Sequence, residues 1–296
     1  MDKIVKFIFF GNFFYGFCAV ALAIEASLQQ GFPLDDLLFY SVAFLATVLY
    51  YNVAYITEKP VSIGNARSEW YGGNLLLIKR INGVELALFA LGSVYFIVRY
   101  FQEIIHLNIM GWIAITCFPL VSFFYYGVNR RLNLRNVGWL KPFIIGFSWA
   151  GLVSVFPIVY HCIITGTDYH IHLVNLALFV KNFMFISLLC ILFDIKDYAS
   201  DSNRELKTFV VKVGLRKTIF YIIVPLSVLG LGSFLWYGFT HAFSTAKILI
   251  NTLPFLTLIA VSYSLFRRRS ILYYLIIIDG LMLLKAVCGI VGVLFF

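Results

Sequence analysis

The stretch Phe193–Lys217, FDIKDYASDSNRELKTFVVKVGLRK, follows directly on an apolar run, Leu173 to Phe193, long enough to cross a bilayer. Asp194, Asp197 and Asp201 fall at i, i+3 and i+7, so on a helix they share one face. Carboxylates gathered at a membrane surface repel one another unless a cation sits among them. Such oxygen-rich groups suit Mg²⁺, which takes a carboxylate or two plus phosphate oxygens. On this reading the three acids are metal ligands; the plainer alternative is a solvated, charged helix end after a transmembrane span.

Working outward, composition sets the environment. The 296 residues are 61% hydrophobic and 12% charged, with mean hydropathy +0.91, far outside the range of ordinary soluble domains. Nine apolar segments of spanning length are predicted, at about Ile4–Leu28, Leu37–Ile56, Gly83–Tyr100, Ile109–Tyr126, Pro142–Tyr160, Leu173–Phe193, Thr218–Tyr237, Ala246–Phe266 and Ile271–Phe296. The expectation is therefore an all-α polytopic integral membrane protein, with one membrane domain over residues 1–296. The first segment ends in CAVALA, similar to a cleavage site. Its length, its Gly11–Asn12 interruption and the eight spans behind it argue for a retained helix.

Basic residues give the expected orientation. Of the 23 Lys and Arg, only Arg99 and Lys247 fall on the side opposite the N-terminus, while Lys181 and Lys285 fall inside spans. The others border alternate loops, which puts the N-terminus in the cytoplasm. The net charge of +9 is thereby dispersed over short juxtamembrane segments facing anionic lipid, and calls for no nucleic acid. All five histidines fall on the other side; His170 and His172 form an HxH pair without the cysteines or carboxylates of a zinc site. The five cysteines show no CxxC spacing and read as packing residues.

Two stretches carry a family resemblance. DIKDYASDSNRELKTFVVKVGLRKT, from Asp194, resembles the second aspartate motif of the UbiA-type intramembrane prenyltransferases, and FYYGVNRRLNLRNVGWLKPFIIG, from Phe124 to Gly146, is similar to the basic loop between that family's fourth and fifth helices. The resemblance implies a nine-helix bundle around a central cavity, an isoprenyl diphosphate substrate, a lipophilic acceptor and Mg²⁺. It also implies catalytic and metal-binding roles for Asp194, Asp197 and Asp201. The pattern breaks at the family's first motif, NDxxDxxxD. The matching place reads YYNVAYITEKP: Asn52 remains, but Val53, Ile56 and Pro60 stand where acids are expected.

Chemistry narrows the other candidates. As diphosphate leaves an allylic carbon, cations take up the charge on the departing oxygens, and aromatic faces shelter the carbocation. Asn52, Lys59, Arg67, Arg135, Lys141 and Lys196 are expected around the diphosphate. Tyr55 and Tyr126 are expected as aromatic walls, with Tyr50, Tyr51 and Tyr125 beside them, and Asn12 as a cavity-lining residue. Charged and amide groups inside spans, namely Asn12, Glu25, Glu85, Lys181, Asn182, Asp279 and Lys285, each need a reason to be there. Lys181 lies thirteen residues, roughly 20 Å of helix, from Asp194 and is expected to pair with Asp279. Glu25 and Glu85, near span ends, are expected to reach the interface. Two other readings stay open: a non-catalytic isoprenoid- or lipid-binding member of the same fold, and a transporter using the intramembrane charges.

Overall fold

A backbone in hydrocarbon has to satisfy its own N–H and C=O groups, so the apolar runs become helices. The structure, a computed structural model, describes residues 3–34, 36–57, 66–126, 134–203 and 206–296. Among the described residues there is no strand. Lys59, with Glu58 and Pro60, lies outside them.

The helices are α1 (Lys3–Phe10), α2 (Phe13–Gln29), α3 (Leu37–Thr57), α4 (Ala66–Arg99), α5 (Phe101–Ile105) and α6 (Ile109–Tyr126). After the loop come α7 (Lys141–Ala150), α8 (Phe156–Thr165), α9 (Leu173–Asn203), α10 (Phe209–Val213) and α11 (Leu215–Thr218). The chain closes with α12 (Val224–Thr240), α13 (Thr245–Ser264), α14 (Ile271–Tyr273) and α15 (Gly280–Leu294). By length and composition, 7 helical segments are able to cross a membrane, and an eighth is added if α1 and α2, bent by 60° at their junction, form one span. The apolar part of α3, Leu37–Val53, is shorter.

Three predicted spans are more irregular than a hydropathy pattern conveys. Single π-helical turns at Gly151–Val155, Ile219–Ile223 and Tyr274–Ile278 join α7 to α8, α11 to α12 and α14 to α15. Each adds a residue to the local turn and re-aims the side chains that follow. The first break, between α1 and α2, sits at Asn12, whose left-handed φ of 66° is a conformation asparagine tolerates better than most side chains.

The main core gathers α2, α9, α15 and the adjoining π turn, with Leu22, Phe185, Leu192, Ile278 and Ala286 buried at its centre. Helix α7 packs closely on α9, and a Cβ at Gly146 would stand 2.2 Å from Ser187 Oγ. That contact sets Lys141, at the start of α7, beside the acidic end of α9. Elsewhere α4 turns Leu76, Leu86, Leu91 and Val98 outward, as a helix facing lipid does.

Candidate active site at the acidic end of the bundle

The break at Asn12 supplies the first half of the site. Ending α1 at Phe10 leaves its carbonyl without an intrahelical donor. Arg67, near the start of α4, donates to that oxygen from Nε at 3.3 Å and from a terminal nitrogen at 3.1 Å, and also bonds the Asn12 side-chain oxygen. Asn12 Nδ2 donates to Asn52 Oδ1 at 2.8 Å, and the Tyr71 hydroxyl donates to the same oxygen at 2.8 Å. Asn52 Nδ2 continues to Asn82 Oδ1 at 2.9 Å. Tyr55 stacks on Tyr71 at 4.8 Å, and the Arg67 guanidinium lies 4.3 Å over the Tyr55 ring. Where the resembling family has a first acidic motif, this chain thus has a buried network of amides, phenols and one guanidinium.

The second half is built on α7 and α9. Lys141 Nζ lies 2.6 Å from Asp194 Oδ1, and Asp194 Oδ2 is buried without a hydrogen-bond partner. Two turns on from Lys141, Trp149 Nε1 donates to the Tyr51 hydroxyl at 2.9 Å. Tyr51 stacks on Tyr15 at 4.5 Å, and the Tyr15 hydroxyl donates to Asp279 Oδ2 at 2.7 Å. The contacts thus run from Tyr51, beside Asn52 on α3, to Trp149 on α7, two turns along from the Lys141 that pairs with Asp194. Arg135 lies 5.9 Å over the Tyr126 ring, and Tyr126 packs 5.2 Å from Tyr50.

Several expectations need correction. The three aspartates do not assemble into one metal site: among the described residues, no three His, Cys, Asp or Glu side chains form a group able to hold a metal ion. A shared helix face is not enough, because Asp194 and Asp201 are seven residues, about 10 Å, apart along the axis, while Mg²⁺ holds its oxygens at about 2.1 Å. Asp197 is half-exposed and pairs with Lys196 at 3.1 Å. Lys181 pairs with Glu25 at 3.2 Å, not with Asp279, whose partner is Tyr15. Glu25 does not reach the interface; it is buried between two lysines. Glu85 is likewise buried.

A smaller metal requirement does fit. Mg²⁺ commonly takes one carboxylate and completes its shell with phosphate oxygens and water, and the orphaned Asp194 Oδ2 is an oxygen of the right kind. Tyr15, Tyr71, Asn82 and Trp149 were not among the sequence-derived site residues. Asp279 had stood out only as a charge inside a span.

No protein-family model matches the chain, and no curated protein matches it either. Among solved structures, digeranylgeranylglyceryl phosphate synthase, described in membranes, aligns over 100% of both chains with a TM-score of 0.57 at 16% identity. The fold is that of a UbiA-type prenyltransferase. Within that fold Lys141 on α7 pairs with Asp194 on α9, and the end of α3 carries the Asn–Tyr–Arg network.

Proposed function

We propose that the protein binds an isoprenyl diphosphate at the acidic end of the bundle and transfers the isoprenyl group to a lipophilic acceptor. The observation that carries this reading is the pairing of Lys141 with the buried Asp194, in a chain whose whole length follows a prenyltransferase fold. Lys141 is a cation already desolvated beside the place where diphosphate would lie, and Arg67 presents a second one across the site. A cation held in a site of low polarity stabilises developing charge more than one in water. Lys141 is also held by a carboxylate, which fixes its position before substrate arrives.

In the reaction the bond between C1 of the isoprenyl chain and the bridging oxygen breaks, and its electron pair leaves with diphosphate. The acceptor's electron pair forms the new bond to C1, and a proton leaves the acceptor. Lys141 and Arg67 take up charge on the departing oxygens. Tyr15, Tyr51 and Trp149, packed against one another, are the aromatic group assigned to shelter the allylic cation. Mg²⁺, held by Asp194 with the diphosphate oxygens, would add further charge neutralisation when bound. Asn12, Asn52 and Tyr71 hold Arg67 and the wall around it in position.

The replacement of the first acidic motif by neutral groups favours one second reading, an isoprenoid-binding protein of this fold without turnover. Purified protein incubated with Mg²⁺ and labelled geranylgeranyl diphosphate separates the two. Release of diphosphate that disappears in Asp194→Asn supports transfer chemistry. Saturable binding without release supports the second reading, and no binding contradicts both.

A further inference from the structure

Asp279 is a charge inside a span to which the proposed reaction gives no role. It follows the π turn Tyr274–Ile278, and its backbone N–H donates to the Tyr274 carbonyl, five residues back, at 3.1 Å. The extra residue of that turn sets the direction of the side chain, which is 5% exposed. The Tyr15 hydroxyl donates to Oδ2 at 2.7 Å, and Oδ1 accepts no hydrogen bond among the described residues. Asp194 and Asp197 each pair with a lysine and Glu25 with two, yet Asp279 has no ion-pair partner among the described residues. Arg67 and Lys196 act on its charge only from beyond ion-pair distance. Both are engaged elsewhere, Arg67 with Phe10 and Asn12 and Lys196 with Asp197.

A buried carboxylate with no cation beside it is costly in a medium of low polarity. The one hydrogen bond that its side chain makes leads into an aromatic group. Tyr15 stacks on Tyr51 at 4.5 Å, and Trp149 stands 6.5 Å from Tyr15 and 6.3 Å from Tyr51. Tyr51 is partly exposed, so packing within the group does not seal it. Ring faces attract positive charge, and a phenol that donates to a carboxylate gains electron density, which strengthens the attraction. Three rings joined to an uncompensated carboxylate favour a positive occupant over a neutral one.

We infer that Asp279 is the counter-charge of the allylic cation, stabilising through Tyr15 the positive charge that develops against Tyr15, Tyr51 and Trp149. The inference rests on the transfer reaction proposed above. Asp279 forms no bond and takes no proton in this role; the diphosphate leaves C1 with the bonding electron pair, and the carboxylate acts by its field. Acting through Tyr15, it is a positioning residue and does not touch the reacting carbon. The substrate is anionic before the bond breaks, so the carboxylate gives it no help in binding. Its effect appears only as C1 becomes positive.

Full-length protein in detergent is titrated with a geranylgeranyl chain ending in trimethylammonium and with its uncharged tert-butyl isostere, which differ by the charge. Wild type is expected to bind the ammonium at least about tenfold more tightly. Asp279→Asn keeps an acceptor oxygen for Tyr15 and should lose most of that preference; Tyr15→Phe, which keeps the carboxylate, should lose less. With labelled geranylgeranyl diphosphate and Mg²⁺, Asp279→Asn should release diphosphate at least about tenfold more slowly at saturation, with KM not raised. No preference for the ammonium in wild type, or one that Asp279→Asn retains, overturns the inference. So does an equal loss of both ligands in Asp279→Asn, the mark of a purely structural role. Failure of wild type to release diphosphate contradicts the transfer reaction itself, whereas release at an unchanged rate in Asp279→Asn contradicts this inference alone.

Discussion

The two ends of the bundle solve the problem of buried polarity differently. At the acidic end, one positive group meets one negative group in Lys141–Asp194, and amides and phenols around Asn52 satisfy one another. In the other half, two lysines converge on Glu25. The first arrangement is neutral and leaves an oxygen, Asp194 Oδ2, available to a ligand; the second is rigidly paired and carries a surplus charge. Polar groups in a membrane therefore need two separate questions answered, whether each atom has a partner and whether the charges sum to zero. The Lys141–Asp194 pair passes the second and not the first, and the lysine cluster the reverse.

The largest expected effect lies in the lysine cluster. Glu25→Ala leaves two buried ammonium groups facing each other and should lower unfolding free energy by about 3–5 kcal/mol, measured by denaturant titration in detergent. A loss below about 1 kcal/mol would mean that the lysines find other partners. Gly289→Ala strikes the same cluster sterically. Its Cβ would stand 2.5 Å from Glu25 atoms, and a destabilisation of about 1–3 kcal/mol is expected in the same titration. An unchanged midpoint would show that Glu25 has room to move.

At the acidic end, Arg67→Ala removes the donors to the Phe10 carbonyl and should cost about 1–3 kcal/mol, together with weaker isoprenyl diphosphate binding. Stability lost with binding unchanged would reduce Arg67 to a helix-end cap. The smallest effect belongs to Val53→Asp with Ile56→Asp, which returns acids to the first motif. It should lower the Mg²⁺ concentration needed for binding by roughly a few-fold, read by isothermal titration. No change would argue that the end of α3 does not face the α9 acids.

The contrast also marks what the sequence allowed to be read. Hydropathy located the helices because hydrocarbon forces the backbone to pair internally, and the basic loop beside the acids brought Lys141 and Asp194 into one candidate site. Asn12 was legible as a polar group in an expensive place, Asn52 as the residue that remains of the first motif, and Arg67 as a basic residue of the segment after it. The three-acid metal site was misread, because the i, i+3, i+7 rule describes direction around a helix and ignores distance along it. Tyr15 meets Asp279 across 264 residues, and Glu25 meets Lys285 across 260, so their partners depend on helix packing that no local pattern encodes. The π turn before Asp279 hides its direction further, since one added residue breaks the 3.6-residue phase from which a face is inferred.

Binding of labelled geranylgeranyl diphosphate to wild type, Lys141→Ala and Lys181→Gln, in one detergent with Mg²⁺ present, tests most directly where the diphosphate lies. The account predicts tight saturable binding to wild type, at least about tenfold weaker binding to Lys141→Ala, and wild-type affinity in Lys181→Gln. Undiminished binding to a folded Lys141→Ala, or a loss confined to Lys181→Gln, would contradict it.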